Sequence, residues 1–325
     1  MALVTNTLTR YDATRAVRED LSNMIYNIAP VDVPVMSNAG RDTAKQTFFE
    51  WQIDILAAPA NSPVLEGDDV VGTTDVRAPT TRVNNYTQIN RKLVSVTGTL
   101  EAVDKAGMRS YLAYELAKAS SEMKRDMETG VTGLQIGNVG SNSVARATAG
   151  MGAWIITNYY PGGGTGAKPI MSGSNGNGTP GTAAVAGTAR AFTEAMFKTA
   201  QQDIWTQGGD PKVAFMGAKQ KGVFSSFVGI ATRYRDVPPG KQAQIIGAAD
   251  LYVGDFGVTS VVPDRFMPIS IVYMGDTEYL SLAYLRNFQT IVMAKTGDAE
   301  KRMLLAEWGL RMKSEKTWAA IADLT

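Results

Sequence analysis

The stretch from Lys105 to Gly137, KAGMRSYLAYELAKASSEMKRDMETGVTGLQIG, decides how the remaining sequence is read. Met108, Leu112, Leu116, Ala119, Met123, Met127, Val131 and Leu134 recur at steps of three and four, which draws one apolar stripe along a helix. Lys118, Glu122, Lys124, Arg125 and Glu128 occupy the other sides, where opposite charges pair at helical spacing. Nothing breaks the pattern before Gly130 and Gly133. About thirty residues at 1.5 Å each predict a rod of roughly 45 Å, longer than most globular helices. A methionine stripe on such a rod reads as core-facing.

Upstream lies TFFEWQIDIL, residues 47–56. Phe49, Trp51, Ile53 and Ile55 alternate with Glu50, Gln52 and Asp54, the period of a half-buried strand. The chain then turns polar and broken from Ala57 to Arg82, and alternation resumes in NRKLVSVTGTL, residues 90–100. Two strands flanking so long an excursion predict an extended two-stranded arm. The cluster Glu66, Asp68 and Asp69 lacks the ligand spacing of a calcium loop and reads as solvated carboxylates. The first forty or so residues read as a short helix ended by Pro30, then an extended segment interrupted by Pro34 and Gly40.

Downstream, GNVGSNSVARATAGMGAWIITN, residues 137–158, has glycines but no preceding strand, so it is not a dinucleotide turn. YPGGGTGAKPI, residues 160–170, resembles a phosphate loop only superficially. Ala167 precedes Lys168 where glycine is needed, and Pro169 stands where Ser or Thr would hold magnesium. The run continues rich in Gly, Ser, Asn and Thr, which predicts a mobile surface loop over 161–188. Beyond it, FTEAMFKTAQQDIWTQ and AKQKGVFSSFV read as helices. KVAFMG, DLYVGDFGVTSVVPD and ISIVYMG read as strands. The last forty residues read as two strands around the Thr296-Gly297-Asp298 turn and a final strand in TWAAIADL.

The 325 residues contain neither cysteine nor histidine. That excludes disulfides, thiolate and Ser-His catalysis, and the usual zinc sites. A net charge of +1 without a basic block argues against a sequence-reading nucleic-acid module. No apolar run is long enough to span a membrane, and MALVTNTLTRYDATR lacks a signal-peptide core, which makes a cytoplasmic product the simplest expectation. No cofactor and no metal site is expected.

The order of parts, with TFFEWQIDIL, the Lys105–Gly137 helix running into GNVGSNSVARATAGMGAWI, and the ending AEKRMLLAEWGLRMKSEKTW, resembles the major capsid proteins of tailed bacteriophages, the family with the HK97 fold. The resemblance covers nearly the whole chain and rests on element order more than on a diagnostic motif. It implies an α+β fold with an N-terminal arm (1–44), an extended two-stranded loop (45–104) and a peripheral domain (105–190 and 289–325). That domain holds the spine helix 105–137 and the Gly-rich loop 161–188, and an axial α/β domain spans 191–288. It implies a non-enzymatic protein that self-assembles as pentamers and hexamers into an icosahedral virion shell around double-stranded DNA, built in the host cytoplasm. Separate scaffolding, portal and decoration proteins are the further partners it implies, with the DNA touched non-specifically. No lysine lies between Lys45 and Lys92, so a covalent link from the loop tip is not expected.

Residues expected at contacts between subunits are Phe49, Trp51, Ile53, Ile55, Glu66, Asp68, Asp69, Arg77 and Arg82. An apolar face on a projecting arm suits an interface; the alternative is that it packs on the protein's own core. Two other readings stand beside the phage shell. One is an encapsulin-like compartment on the same fold. The other is an α/β enzyme or binder using Asp203, Asp210, Asp255, Asp264 or Asp276, although several of these flank Gly or Pro, where Asp is a common turn residue.

Overall fold

The computed structural model describes residues 32–54, 56, 59, 61, 63, 65–67, 79–105, 107–173, 177–227, 250–295 and 297–325. The long apolar stripe folds as helix α3, Tyr111–Thr132, preceded by two short helices, α1 (Pro34–Asn38) and α2 (Gly98–Ala102). At 22 residues α3 is about 33 Å long. It is thus shorter than the 105–137 expected, and Met108 and Leu134 lie outside it. The start is fixed by Ser110, whose hydroxyl accepts the Ala113 N–H at 3.3 Å, and by Glu101, whose carboxylate accepts the Tyr111 N–H at 3.1 Å. Gly133 ends it, in extended geometry.

The helix lies on a four-stranded sheet of order β1 (Gly40–Thr43), β12 (Leu280–Val292), β13 (Ala299–Met312) and β4 (Gln88–Thr97). Strands β12 and β13 form the expected hairpin, with Gly297 left-handed in the turn at φ +92°. Leu112, Ala119 and Met123 of α3 pack on Val94, Val96, Leu304 and Ala306. The opposite residues of β4 and β13 therefore face away from the helix.

The second sheet has six strands in the order β5 (Tyr159–Tyr160), β14 (Trp318–Ile321), β11 (Val272–Gly275), β8 (Val213–Met216), β10 (Gly257–Pro263) and β9 (Leu251–Gly254). One face carries α5 (Glu194–Thr206) and α6 (Ala218–Ser225), where Phe197, Ile204 and Phe224 meet Ala214, Met216, Val272 and Ala319. The other face turns Phe215, Tyr273 and Trp318 into a core shared with Met127 and Val131 of α3 and with Trp154 of the short helix α4 (Met151–Trp154). Alternation along each strand thus feeds two different cores.

Three expectations need correction. The final strand, β14, does not complete the peripheral domain; it sits between β5 and β11 inside the six-stranded sheet. Residues 280–288, expected with the axial body, begin the long hairpin of the other sheet. The partner of β2 (Phe48–Ile53) is β3 (Thr81–Tyr86), not the 90–100 strand, which pairs as β4 with β13. The sequence TRVNNY looks like a loop because only Val83 of its two buried members is apolar, the other being Asn85. Asn85 is fully buried, donating its amide to Leu310 O at 2.7 Å and to Thr148 Oγ1 at 3.1 Å while accepting the Ala149 N–H at 3.0 Å.

The Gly-rich run is also ordered where it is described, as a hairpin with short strands β6 (Ile170–Met171) and β7 (Pro180–Thr182) and bridges Gly163–Thr188 and Ala167–Val185. Its order comes from close backbone contact together with Met171 and Ala184, which pack against the core. A Cβ on Gly187 would stand 2.4 Å from Gly162 O, and one on Gly162 would stand 2.1 Å from Thr188 O. Only glycine lets the two strands of its root come so close.

Candidate assembly surface

Strands β2 and β3 make the arm, with Ile53 opposite Thr81 at its outer end. Its apolar face is turned onto the chain's own body. Phe49 is 5% exposed, its ring against Gly309 so closely that a Cβ there would stand 2.5 Å from it. Trp51 leans on Trp154 with ring centroids 5.2 Å apart and donates its indole N–H to Met312 O at 3.1 Å. Ile53 is partly buried against the same core. The Arg311 guanidinium stands 5.6 Å from each of the Phe49 and Trp51 rings and pairs with Asp42. Within the chain, Phe49, Trp51 and Ile53 pack on the body, where β13 offers a complementary surface. Ile55, Asp68, Asp69 and Arg77 lie outside the described residues.

What the arm leaves exposed is its far end. Glu66 is exposed, next to Gly67 at φ +83°, while Leu56 and Leu65 are 93% and 81% exposed. Arg82 is exposed, 3.9 Å from Glu50. A second open surface, unmarked in the sequence reading, is the face of the four-stranded sheet away from α3. Register places Leu93, Met303 and Ile291 in one row of it, while in the row of Ile89, Glu307 and Arg286 the Glu307 carboxylate is buried beneath Arg146. Leu93 is 60% exposed, with Ile89 and Ile291 also exposed. Strand β1 pairs only with residues 281–284, so the outer edge of β12 from Arg286 onward has no strand partner among the described residues. The alternation of β4 was legible, but which face would stay open depended on where α3 lay.

Among the described residues the candidate aspartates are not gathered into one site. Asp203 accepts from the Tyr160 hydroxyl, Asp276 caps a 3-10 turn at Glu278 N and pairs with Lys212 at 2.6 Å, and Asp210 and Asp255 are exposed. Among the described residues no group of three or more acidic side chains is placed to hold a metal ion. Lys168 donates to Thr157 O at 2.7 Å, a structural contact within the hairpin region. No described helix is long and apolar enough to cross a membrane.

A family model described as the SU10 major capsid protein matches residues 3–325. The chain is 25% identical over 324 residues to the major capsid protein of Escherichia phage Phieco32, with 90% of each covered. Among solved structures, the capsid asymmetric unit of cyanophage A-1(L) superposes with a TM-score of 0.67 at 15% identity, covering 98% of this chain and 100% of that one. A structure from Gordonia phage Cozz gives 0.62 at 11% identity, over 99% and 97% of the two chains. The capsid of a native GTA particle gives 0.61 at 11% identity, over 99% and 100%. At these identities the structures speak for the fold, and they do so along the whole length.

Proposed function

This chain belongs to the SU10 major capsid protein family, and from that premise we propose that it is the shell-forming subunit of a tailed-phage head. Its α+β architecture is the HK97-like capsid fold. Copies associate as pentamers and hexamers into an icosahedral shell enclosing double-stranded DNA, and the protein acts as a wall rather than a catalyst. The observation that carries this is the family match from residue 3 to residue 325 on a chain whose candidate carboxylates are each occupied or scattered.

The fold supports the role physically. Exposed leucines on a loop that continues a rigidly rooted arm disfavour a lone monomer and suit a contact with another copy. The loop of one subunit lies over its neighbour, with Glu66, Asp68, Asp69, Arg77 and Arg82 as its polar contacts, and the open sheet face around Leu93 and Ile291 is a receiving surface. A near-neutral chain suits a wall that does not grip DNA, because affinity for the phosphate backbone scales with the cations engaged. The subunit resides in the virion after assembly in the host cytoplasm, with separate scaffolding and portal proteins as partners and a decoration protein in place of a covalent link.

Electron microscopy of the full chain, expressed alone and with a scaffolding partner, tests this. Closed shells or discrete five- and sixfold rings are expected. Monomers under both conditions, at all salt and protein concentrations, would sink the proposal.

A further inference from the structure

The Gly-rich hairpin does more than pair with itself, because its tip joins the arm. Behind the tip, the Ser172 N–H donates to Thr179 O at 2.8 Å and the Gly173 N–H to Asn177 O at 3.0 Å, which holds Asn177 and Gly178 at the end of a preformed turn. Gly178 bridges Val83 of β3 in the parallel sense. Its N–H donates to Arg82 O at 2.9 Å, and its carbonyl accepts the Asn84 N–H at 3.0 Å. Where the hairpin backbone turns away, a side chain continues the ladder: Asn177 Oδ1 accepts the Arg82 N–H at 2.8 Å. Gly178 sits at φ +94°, and a Cβ there would stand 2.5 Å from Ser172 Oγ, so the position calls for glycine.

Arg82 and Asn84 thus turn their backbone groups away from β2, and they form the outer edge of the arm. A two-stranded ribbon is marginal by itself, and an uncovered edge is a template for pairing with another chain. Packing holds the root of the arm, where Val83 is buried and Trp51 lies against Trp154. Toward the outer end that support thins. Gln52 and Arg82 are exposed, and Ile53 and Thr81 are half-buried. A cleft of about 780 Å³ lies there, lined by Ile53 and Thr81 of the arm, Met171 of the hairpin, and Thr157, Met312 and Glu315 of the body. The hairpin itself is fixed to the body, with Met171 and Ala184 packed against the core. Its tip therefore ties the thinly packed end of the arm to a firmly held element.

We propose that Asn177 and Gly178 are positioning residues, a splint that lends the arm a third strand, keeps its outer end in register and closes its free edge. The splint requires no movement of the packed root. It extends sheet order past Val83 and Trp51, where the core stops enclosing the arm. Its consequence for assembly rests on the shell reading: an ordered outer end sets where Leu56 and Leu65, beyond the last arm pair Ile53–Thr81, reach a neighbouring copy.

Hydrogen–deuterium exchange of the full chain, before any scaffolding partner is added, reads the Arg82, Asn84, Ile53 and Thr81 amides against those of Ala119–Met123 as an internal reference. Gly178→Val is expected to speed exchange about tenfold at Arg82 and Asn84 and about threefold at Ile53 and Thr81, with the reference unchanged. Asn177→Ala removes one acceptor and is expected to speed Arg82 and the Ile53–Thr81 pair. Asn177→Asp keeps an acceptor and is expected to restore slow exchange. Unchanged exchange at Arg82 in Asn177→Ala overturns the splint, and this arm stands even where Gly178→Val fails to fold. An Asn177→Asp protein as fast as Asn177→Ala overturns it as well. So does faster exchange confined to Arg82 and Asn84, which would reduce the tip to a local contact. Because the exchange is read on the unassembled chain, a protein that never closes into shells overturns the shell reading and not the splint.

Discussion

Glu307 gathers more of the chain than any single acidic residue in the four-stranded sheet. Almost fully buried, it accepts the Thr87 hydroxyl at 2.9 Å and Arg286 Nε at 2.8 Å and pairs with Arg146, which itself donates to Thr87 O at 2.6 Å. Truncating one partner of a buried charged network leaves the others unpaired. Glu307→Ala should therefore lower stability by about 3 kcal/mol, discounted from the buried-pair range because both arginines keep some water. Arg286→Ala, on the wetter side, should lower it by less than about 1 kcal/mol. Urea denaturation of both variants checks this, and equal effects would show that Glu307 acts as an ordinary surface charge. Glu128 gives a pH-dependent case. Burial pushes its folded value up to about 7, above its ordinary 4.5, so the folded state holds the proton more tightly. Its contribution is complete below pH 4.5 and is lost as the pH rises through 7, about 3 kcal/mol in all. The difference in denaturation midpoint between pH 5 and pH 8 should shrink in Glu128→Gln; an unchanged difference would assign the dependence to other groups.

At the scale of elements, the hairpin over 161–188 hangs on one side chain. Asp323 sits in the left-handed region at φ 58° and its Oδ2 accepts the N–H groups of Gly162 and Gly187, each at 2.8 Å. Asp323→Ala removes both bonds and leaves a residue that tolerates that backbone poorly, whereas Asn keeps an acceptor and suits it. Amide exchange across 162–187 should rise at least tenfold in the Ala variant and much less in Asn, with the sheets unaffected. Equal protection in all three proteins would move the anchor elsewhere. This hairpin is hard to read from composition because few apolar residues, Met171 and Ala184 among them, anchor it, and the rest of its order comes from glycine backbones in contact. Strand β3 was hidden for a related reason: Asn85 is buried by satisfied hydrogen bonds, and a polar residue looks the same in a sequence whether its partners are water or protein. By contrast α3, β2, α5 and the β12–β13 hairpin were legible, since each buries one side of a periodic pattern. The direction that pattern faces is a different matter. Phe49 and Trp51 alternate as an interface strand would, and only the position of Gly309 and Met312 reveals that they face inward.

For the whole molecule, the proposed shell role implies that folding and association draw on different residues. Among the described residues, the cores on both sides of the six-stranded sheet and beneath α3 include none from the 55–79 loop, and the arm's apolar face is covered by β13 and Trp154. Ile53 and Thr81 are paired across the arm, a separation that a two-residue turn spans. Replacing residues 55–79 by Asn-Gly should thus leave a folded monomer whose thermal midpoint lies within about 4 °C of the full chain's, a shift worth no more than about 1–2 kcal/mol in a chain of this size. The same protein should form no closed shells, because the exposed Leu56 and Leu65 both go with the loop. Calorimetry and electron microscopy on one preparation separate the two effects. A variant that unfolds would show that the loop belongs to the core after all. A variant that is stable and still closes into shells would place the contacts between copies on the open sheet face alone, and Leu93→Asp with Ile291→Asp would then be the substitutions that stop assembly.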